Sequence, residues 1–399
     1  MLFAGDTRSS STRTFFSFCS RYSKGPLVYY HLILTDTCNL CCTYCRGKAF
    51  TIDPPESPDI AVDDELPVDL AVGLDGLYAF LARDPEAVLT LYGGEPLLRT
   101  DLVREVACNA PISALNLHTN GTLLDRLEPA IANRFDTILV SIDGPERLTD
   151  THRGEGVFAR IIQNLRRMMA GGFPGEVIAR MTVTEDTDID AAVRYLSQND
   201  EFSFPAVHWQ MDANFWHDFH LRDYAEWVEK SYNPGIQSLV STWVEIMRTE
   251  GRVYRWYPFL DPMQDMLLGR TSRLRCGCGH ANYSIMTDGH IAPCPIMVGM
   301  KDYYVGHIDT ADPHHLPVVP VGDPCPECTL FGFCGGRCLY SNITRPWPEE
   351  GRRIVCSTVE SLHTALSGAL PEIKRLISRG DISLADFDHT KYNSCEIIP

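Results

Sequence analysis

The sequence predicts an α/β fold: a partial six-stranded (β/α)6 barrel followed by a small cysteine-rich domain. Two observations predict it. From residue 27 onward, short β-branched runs alternate with longer helix-like stretches, the pattern of parallel βαβ units. The fifteen cysteines fall into two dense groups with a nearly empty middle. The second group lies among Gly and Pro, where an apolar core cannot form and metal staples must replace it.

The first 26 residues are rich in Ser, Thr and Arg and read as a poorly ordered leader outside the fold. Strands are expected at 28–35, 87–92, 114–118, 137–142, 177–183 and 207–211, with helices at 70–81, 102–106 and 158–170 between them. Six units are too few to close an eight-fold barrel, so an open-sided one spanning 27–220 is expected, with its ligand sites at the C-terminal strand ends. Residues 221–275 read as a helical bridge and 276–356 as the cysteine-rich domain. Residues 357–399 read as an amphipathic helix and tail.

A net charge of −17 argues against a nucleic-acid partner, which demands clustered Lys and Arg. No apolar run is long enough to span a membrane. A secreted disulfide scaffold fits poorly, because no signal peptide is visible and such scaffolds are short chains. Metal-bound thiolates in a reducing cytoplasm fit better.

Residues 35–46 read TDTCNLCCTYCR and place Cys38, Cys42 and Cys45 in a C-x3-C-x2-C pattern on the loop after the first strand. Three thiolates hold three corners of a [4Fe–4S] cube and leave the fourth iron open, whereas structural zinc takes a closed set of four. Cys41 is out of register with this triad. Here the chain resembles the radical S-adenosylmethionine (SAM) superfamily, across roughly 28–214. Gly93-Gly94-Glu95-Pro96 ends the second strand, Thr119-Asn120-Gly121-Thr122 the third and Ser141-Ile142-Asp143-Gly144-Pro145 the fourth, with His152-Arg153-Gly154 following. The resemblance implies SAM chelated to the open iron and reductively cleaved to a 5′-deoxyadenosyl radical. It further implies Tyr44 against the adenine, Gly93 to Pro96 at the SAM amino group, Thr119 nearby, Ser141 on the ribose and Arg153 on the SAM carboxylate.

Farther along, Cys325, Cys328, Cys334 and Cys338 are spaced C-x2-C-x5-C-x3-C, with Cys276, Cys278 and Cys294 upstream and Cys356 downstream. This resembles the SPASM domain, the auxiliary-cluster module of many peptide-modifying radical SAM enzymes. The resemblance implies interleaved ligands: Cys276, Cys278, Cys294 and Cys338 for one [4Fe–4S] cluster, and Cys325, Cys328, Cys334 and Cys356 for the other, three clusters in all. The C-x-C spacing of Cys276 and Cys278 is tighter than the family's usual pair, which leaves open a first auxiliary cluster with a free iron. Segments YYHLILTDTCNL and CGCG…DGHIAPCP most resemble an archaeal set of peptide-modifying enzymes.

The implied function is post-translational oxidation or cross-linking of a peptide or small protein, with a ferredoxin- or flavodoxin-type electron donor. Two alternatives are a sulfatase-maturase-like enzyme and a SPASM oxidoreductase acting on a small molecule. Sulfatase-maturing members carry a basic Asp immediately after the cysteine that here is Cys294, and this chain has Pro295 there. Asp212, just past the sixth strand, is the candidate substrate-side base, while Glu185 and Asp186 read as solvated. Cys19, Cys41, Cys108 and Cys395 remain, each read by default as a small buried hydrophobe. Cys395 has a second reading as a tail thiol able to return a hydrogen atom.

Overall fold

The computed structural model describes residues 27–45, 60–391 and 398. The leader, Cys19 and Cys395 lie outside the described residues.

All six expected strands form, as β1 (Tyr29–Ile33), β2 (Val88–Tyr92), β3 (Ala114–Thr119), β4 (Thr137–Ser141), β5 (Glu176–Val183) and β6 (Ala206–Met211). Each is parallel to the next. The sheet is larger than expected. A two-residue strand β7 (Arg255–Trp256) adds beyond β6, and β8 (Asn282–Ile285) pairs parallel with β1. β9 (His290–Ala292) and β10 (Gly306–His307) follow, giving ten strands in the order β10-β9-β8-β1-β2-β3-β4-β5-β6-β7. The sheet therefore runs unbroken into the cysteine-rich region.

The two faces of the sheet differ because side chains alternate along a strand. Outward-facing Leu32, Leu89, Leu91, Leu117, Ile138, Val140, Ala179, Met181 and Val207 are all buried in the main core. The helices cover them: α1 (Leu74–Leu81), α2 (Thr100–Asn109), α3 (Glu146–Arg153), α4 (Val157–Ala170) and α5 (Ile189–Ser197). On the inner face Leu139, Ile178 and Ala206 close the N-terminal end with Tyr257. Above that plug the inner face turns polar. His31, Thr90 and Asn116 stand in register across β1 to β3, and Ser141, Arg180 and His208 across β4 to β6. The chain thus builds an apolar floor under a polar well, with the strand C-termini as its rim.

The helical stretch after β6 supplies α6 (Asn233–Glu250) and α7 (Tyr257–Leu268). The 31-residue α8 (Glu349–Arg379) packs along α6 and extends the expected C-terminal helix at both ends. Arg275, buried at the entry to the cysteine-rich region, pairs with Asp261 and Asp265 of α7 and donates to the Phe333 carbonyl at 2.7 Å. Burial would raise the Asp261 carboxyl, but the Arg275 charge and neighbouring donors outweigh it and hold it low. Among the described residues, no helix is long and apolar enough to cross a membrane.

Candidate active site

At the rim of the well lies a cavity of about 460 Å³ lined by Cys38, Cys42, Cys45, Tyr44, Gly93, Gly94, Thr119, Ser141, Arg153 and Arg180. The cysteine loop is held there by backbone. Gly94 N–H donates to the Thr35 carbonyl at 2.7 Å and Glu95 N–H to that of Thr37 at 2.9 Å. The two glycines are steric necessities. A Cβ on Gly93, whose φ is 145°, would run into the Thr35 carbonyl, and one on Gly94 would lie 2.6 Å from the Asp36 oxygen and closer still to that of Thr37. Gly94→Ala is expected to cost about 1–3 kcal/mol, an overpacking penalty. It should lower iron uptake at the first site alone, as read by urea unfolding of the apo-protein and iron per chain.

Glu95 and Pro96 are absent from the cavity wall and act beneath it. Glu95, fully buried, accepts from Leu97 N–H at 3.0 Å, Thr119 Oγ1 at 2.8 Å and Asn120 N–H at 2.7 Å, tying the ends of β2 and β3 together. Burial lifts its carboxyl to about 7 against these donors, which favour the charged form. Asn120 Nδ2 in turn approaches Cys38 Sγ at 3.8 Å.

The opposite wall is organised by Asp143, a completely buried carboxylate. It accepts from Tyr44 Oη at 2.7 Å, Arg153 Nε and Nη2 at 2.9 Å each, and Thr182 N–H at 2.9 Å. Burial alone would raise its pKa, but the Arg153 charge and these donors bring it down to about 2. Arg153 also lies over the Tyr44 ring, 5.4 Å from its centroid. One edge of the Arg153 guanidinium, Nε and Nη2, is thus committed to Asp143, while the residue still lines the cavity. Arg180, missed in the sequence, faces the same cavity with a buried Nε that has no partner. Its Nη2 donates to Gln210 Oε1 at 2.9 Å, and no ion pair holds it among the described residues.

Asp212 does not line the cavity. Its carboxylate pairs with Arg222 at 3.3 Å, and Arg222 also grips Glu185 at 2.6 and 2.8 Å. The expected base is therefore ion-paired, and Glu185 is paired rather than solvated. Gln210, two residues earlier, reaches the cavity instead. Cys41 and Cys108 are exposed, not buried as expected.

Residues 32–196 match the Radical SAM superfamily model. This stretch is a radical SAM domain. The GTP 3′,8-cyclase of Streptomyces coelicolor is 39% identical over 116 residues, 28% of this chain and 31% of that protein. The chain spans half or less of the length of most of the curated relatives it matches. Those relatives come from bacteria as well as archaea, so they do not carry the archaeal part of the resemblance. The fold extends beyond the radical SAM domain. Native anSMEcpe with bound AdoMet and the Cp18Cys peptide superposes with a TM-score of 0.61 at 18% identity, over 89% of this chain and 99% of that one. Streptococcus suis SuiB bound to its precursor peptide SuiA gives 0.50 at 14% identity, over 80% and 73%.

Behind the radical SAM domain, the remaining cysteines gather around two further cavities. Cys276, Cys278, Cys294 and Cys338 line one of about 100 Å³, where the Cys278 thiol is within hydrogen-bond reach of those of Cys276 and Cys294. Cys325, Cys328, Cys334 and Cys356 line another of about 170 Å³, and Cys338 lines this one too. Burial and the nearby sulfurs of Cys334, Cys356 and Cys328 push the Cys325 thiol up to about 11. Among the described residues, no three such side chains close on a single ion; the sulfurs instead line walls.

Proposed function

We propose that the protein is a SPASM-type radical SAM enzyme that oxidises or cross-links a peptide or small protein. The donor chemistry suits three [4Fe–4S] clusters: an open set of three thiols at Cys38, Cys42 and Cys45, and two sets of four. Bound to the open iron, SAM would supply a 5′-deoxyadenosyl radical for hydrogen abstraction. The chain's own residues prepare that site. Tyr44, fixed by Asp143, offers a flat apolar face. Carbonyls beside Gly93 and Gly94 offer acceptors for an ammonium, since the amides of Gly94 and Glu95 are already used. Ser141 and Arg180 offer donors for hydroxyl and carboxylate groups. We assign the carboxylate to Arg180, with Arg153 positioning Tyr44.

The observation that carries the reading is a shared wall. Tyr92, Arg180, Gln210, Pro295 and Ile296 line both the SAM cavity and the cavity of Cys276, Cys278, Cys294 and Cys338. A substrate seated there touches the radical source on one side and an electron acceptor on the other. No carboxylate belongs to that wall, and Pro295 occupies the place of the sulfatase-maturing base, so the sulfatase reading loses support. Peptides bound to anSMEcpe and SuiB support a peptide substrate, and the eleven thiolates and the need for an external low-potential donor suit a reducing cytoplasm.

The test is anaerobic reconstitution, addition of SAM and dithionite, and assay for 5′-deoxyadenosine, followed by co-expression with the short peptides encoded beside the gene. Loss of two hydrogens from such a peptide is expected; an enzyme that forms no 5′-deoxyadenosine overturns the proposal. Arg180→Leu is expected to weaken SAM binding by about 1.5–3 kcal/mol, the scale of a charged hydrogen bond, by calorimetry on the reconstituted protein. Arg153→Lys, which keeps a charge beside Asp143, should weaken it less.

A further inference from the structure

Between the two C-terminal cavities one cation stands without a counter-ion. Arg337 lies on the short connection between Cys334 and Cys338, and it lines both cavities together with Cys338. Its backbone is unusual. Gly335, Gly336 and Arg337 follow one another with φ of 71°, 98° and 52°. The first two are glycines, which adopt that region freely; the third is not, and a non-glycine residue held there stores strain that must be offset elsewhere. The side chain explains no local bond, because its Nε is buried without a partner. Among the described residues, no carboxylate forms an ion pair with it. Arg352, on the wall of the larger cavity, differs in being paired with Glu349.

We propose that Arg337 is an electrostatic positioning residue shared by both auxiliary clusters, raising the reduction potential of each so that they accept an electron from the substrate side. The proposal rests on the cluster reading above. Reduction adds one negative charge to a cluster, and an unpaired guanidinium in a poorly solvated site favours that state. One cation lying between two acceptors biases both, which an exposed or paired arginine does not do.

The experiment is an EPR-monitored redox titration in a Cys38, Cys42, Cys45 triple Ala background, where signals arise from the C-terminal clusters alone. Arg337→Gly suits the backbone conformation and removes the charge; Arg337→Lys keeps the charge. Arg337→Gly is expected to retain about eight irons per chain and to shift the midpoints to more negative potential, with Arg337→Lys close to the parent. Unshifted midpoints in Arg337→Gly at full iron content overturn the proposal alone, as does a Lys variant shifted as far as the Gly variant. Absence of C-terminal clusters from the parent protein overturns the cluster reading and this inference with it. Thermal unfolding of the apo-proteins gives an independent check: Arg337→Gly should unfold no lower than the parent, since it relieves strain and breaks no hydrogen bond.

Discussion

A Cys38, Cys42, Cys45 triple Ala variant will hold about eight of roughly twelve irons and form no 5′-deoxyadenosine. The loop that carries these thiols is anchored by backbone bonds to Gly94, Glu95 and His152 and by the Tyr44 and Asn39 side chains, while the sulfur contacts, Leu40 N–H and Asn120 Nδ2 to Cys38 Sγ at 3.4 and 3.8 Å, are long. Removing the sulfurs therefore leaves the loop anchored and the fold intact. The eight cysteines between 276 and 356 gather around separate cavities beyond the wall of Tyr92, Arg180 and Gln210, so iron bound there is expected to be unaffected by the change. Iron and sulfide analysis with product assay reads both halves of the expectation. If 5′-deoxyadenosine persists, SAM cleavage does not occur at this loop.

Asp143→Asn carries the largest expected cost to stability. The substitution leaves the Arg153 guanidinium buried with no charge partner, and breaking such a pair costs about 3–5 kcal/mol. It also weakens the bond that fixes Tyr44, so SAM affinity should fall with stability. The wild-type carboxyl supplies its own check. Its folded pKa is lowered to about 2 from the usual 3.8, so its contribution is fully present above about pH 4 and fades as pH falls toward 2. That contribution is about 2 kcal/mol by linkage. Urea unfolding of the apo-protein between pH 7 and pH 3 should show this acid-side loss in the wild type and a smaller one in Asp143→Asn. Equal slopes would mean that Asp143 does not hold the wall.

Much of this architecture was legible in the residues. Short β-branched runs alternating with helical stretches marked the parallel strands, and all six were placed to within a few positions. The cysteine spacings marked the segments whose thiols line the three cavities. Four features were not legible, each because it depends on how the folded chain turns or pairs. Asp143 stood inside a recognised motif, but its grip on Tyr44 and Arg153 needs α3 folded back on the loop. Arg180 reads as one more polar residue in β5 until strand pairing sets it beside Ser141 and His208. Asp212 and Gln210 differ by one pleat, but β6 ends at Met211, and beyond it the chain turns Asp212 toward Arg222. The β8 strand is four residues long and too short to announce itself; its partner β1 lies some 250 positions away.

That last pairing bears on how the protein is made. While the chain grows, β1 can dock against β2 within tens of residues, but its other edge stays bare until β8 has left the ribosome. At ordinary elongation rates the delay is roughly 10–50 s. Throughout it, a largely apolar strand edge next to the Cys38 loop is open to pairing with another chain. Heterologous production should accordingly respond more to slowed synthesis and chaperone supply than to added iron alone.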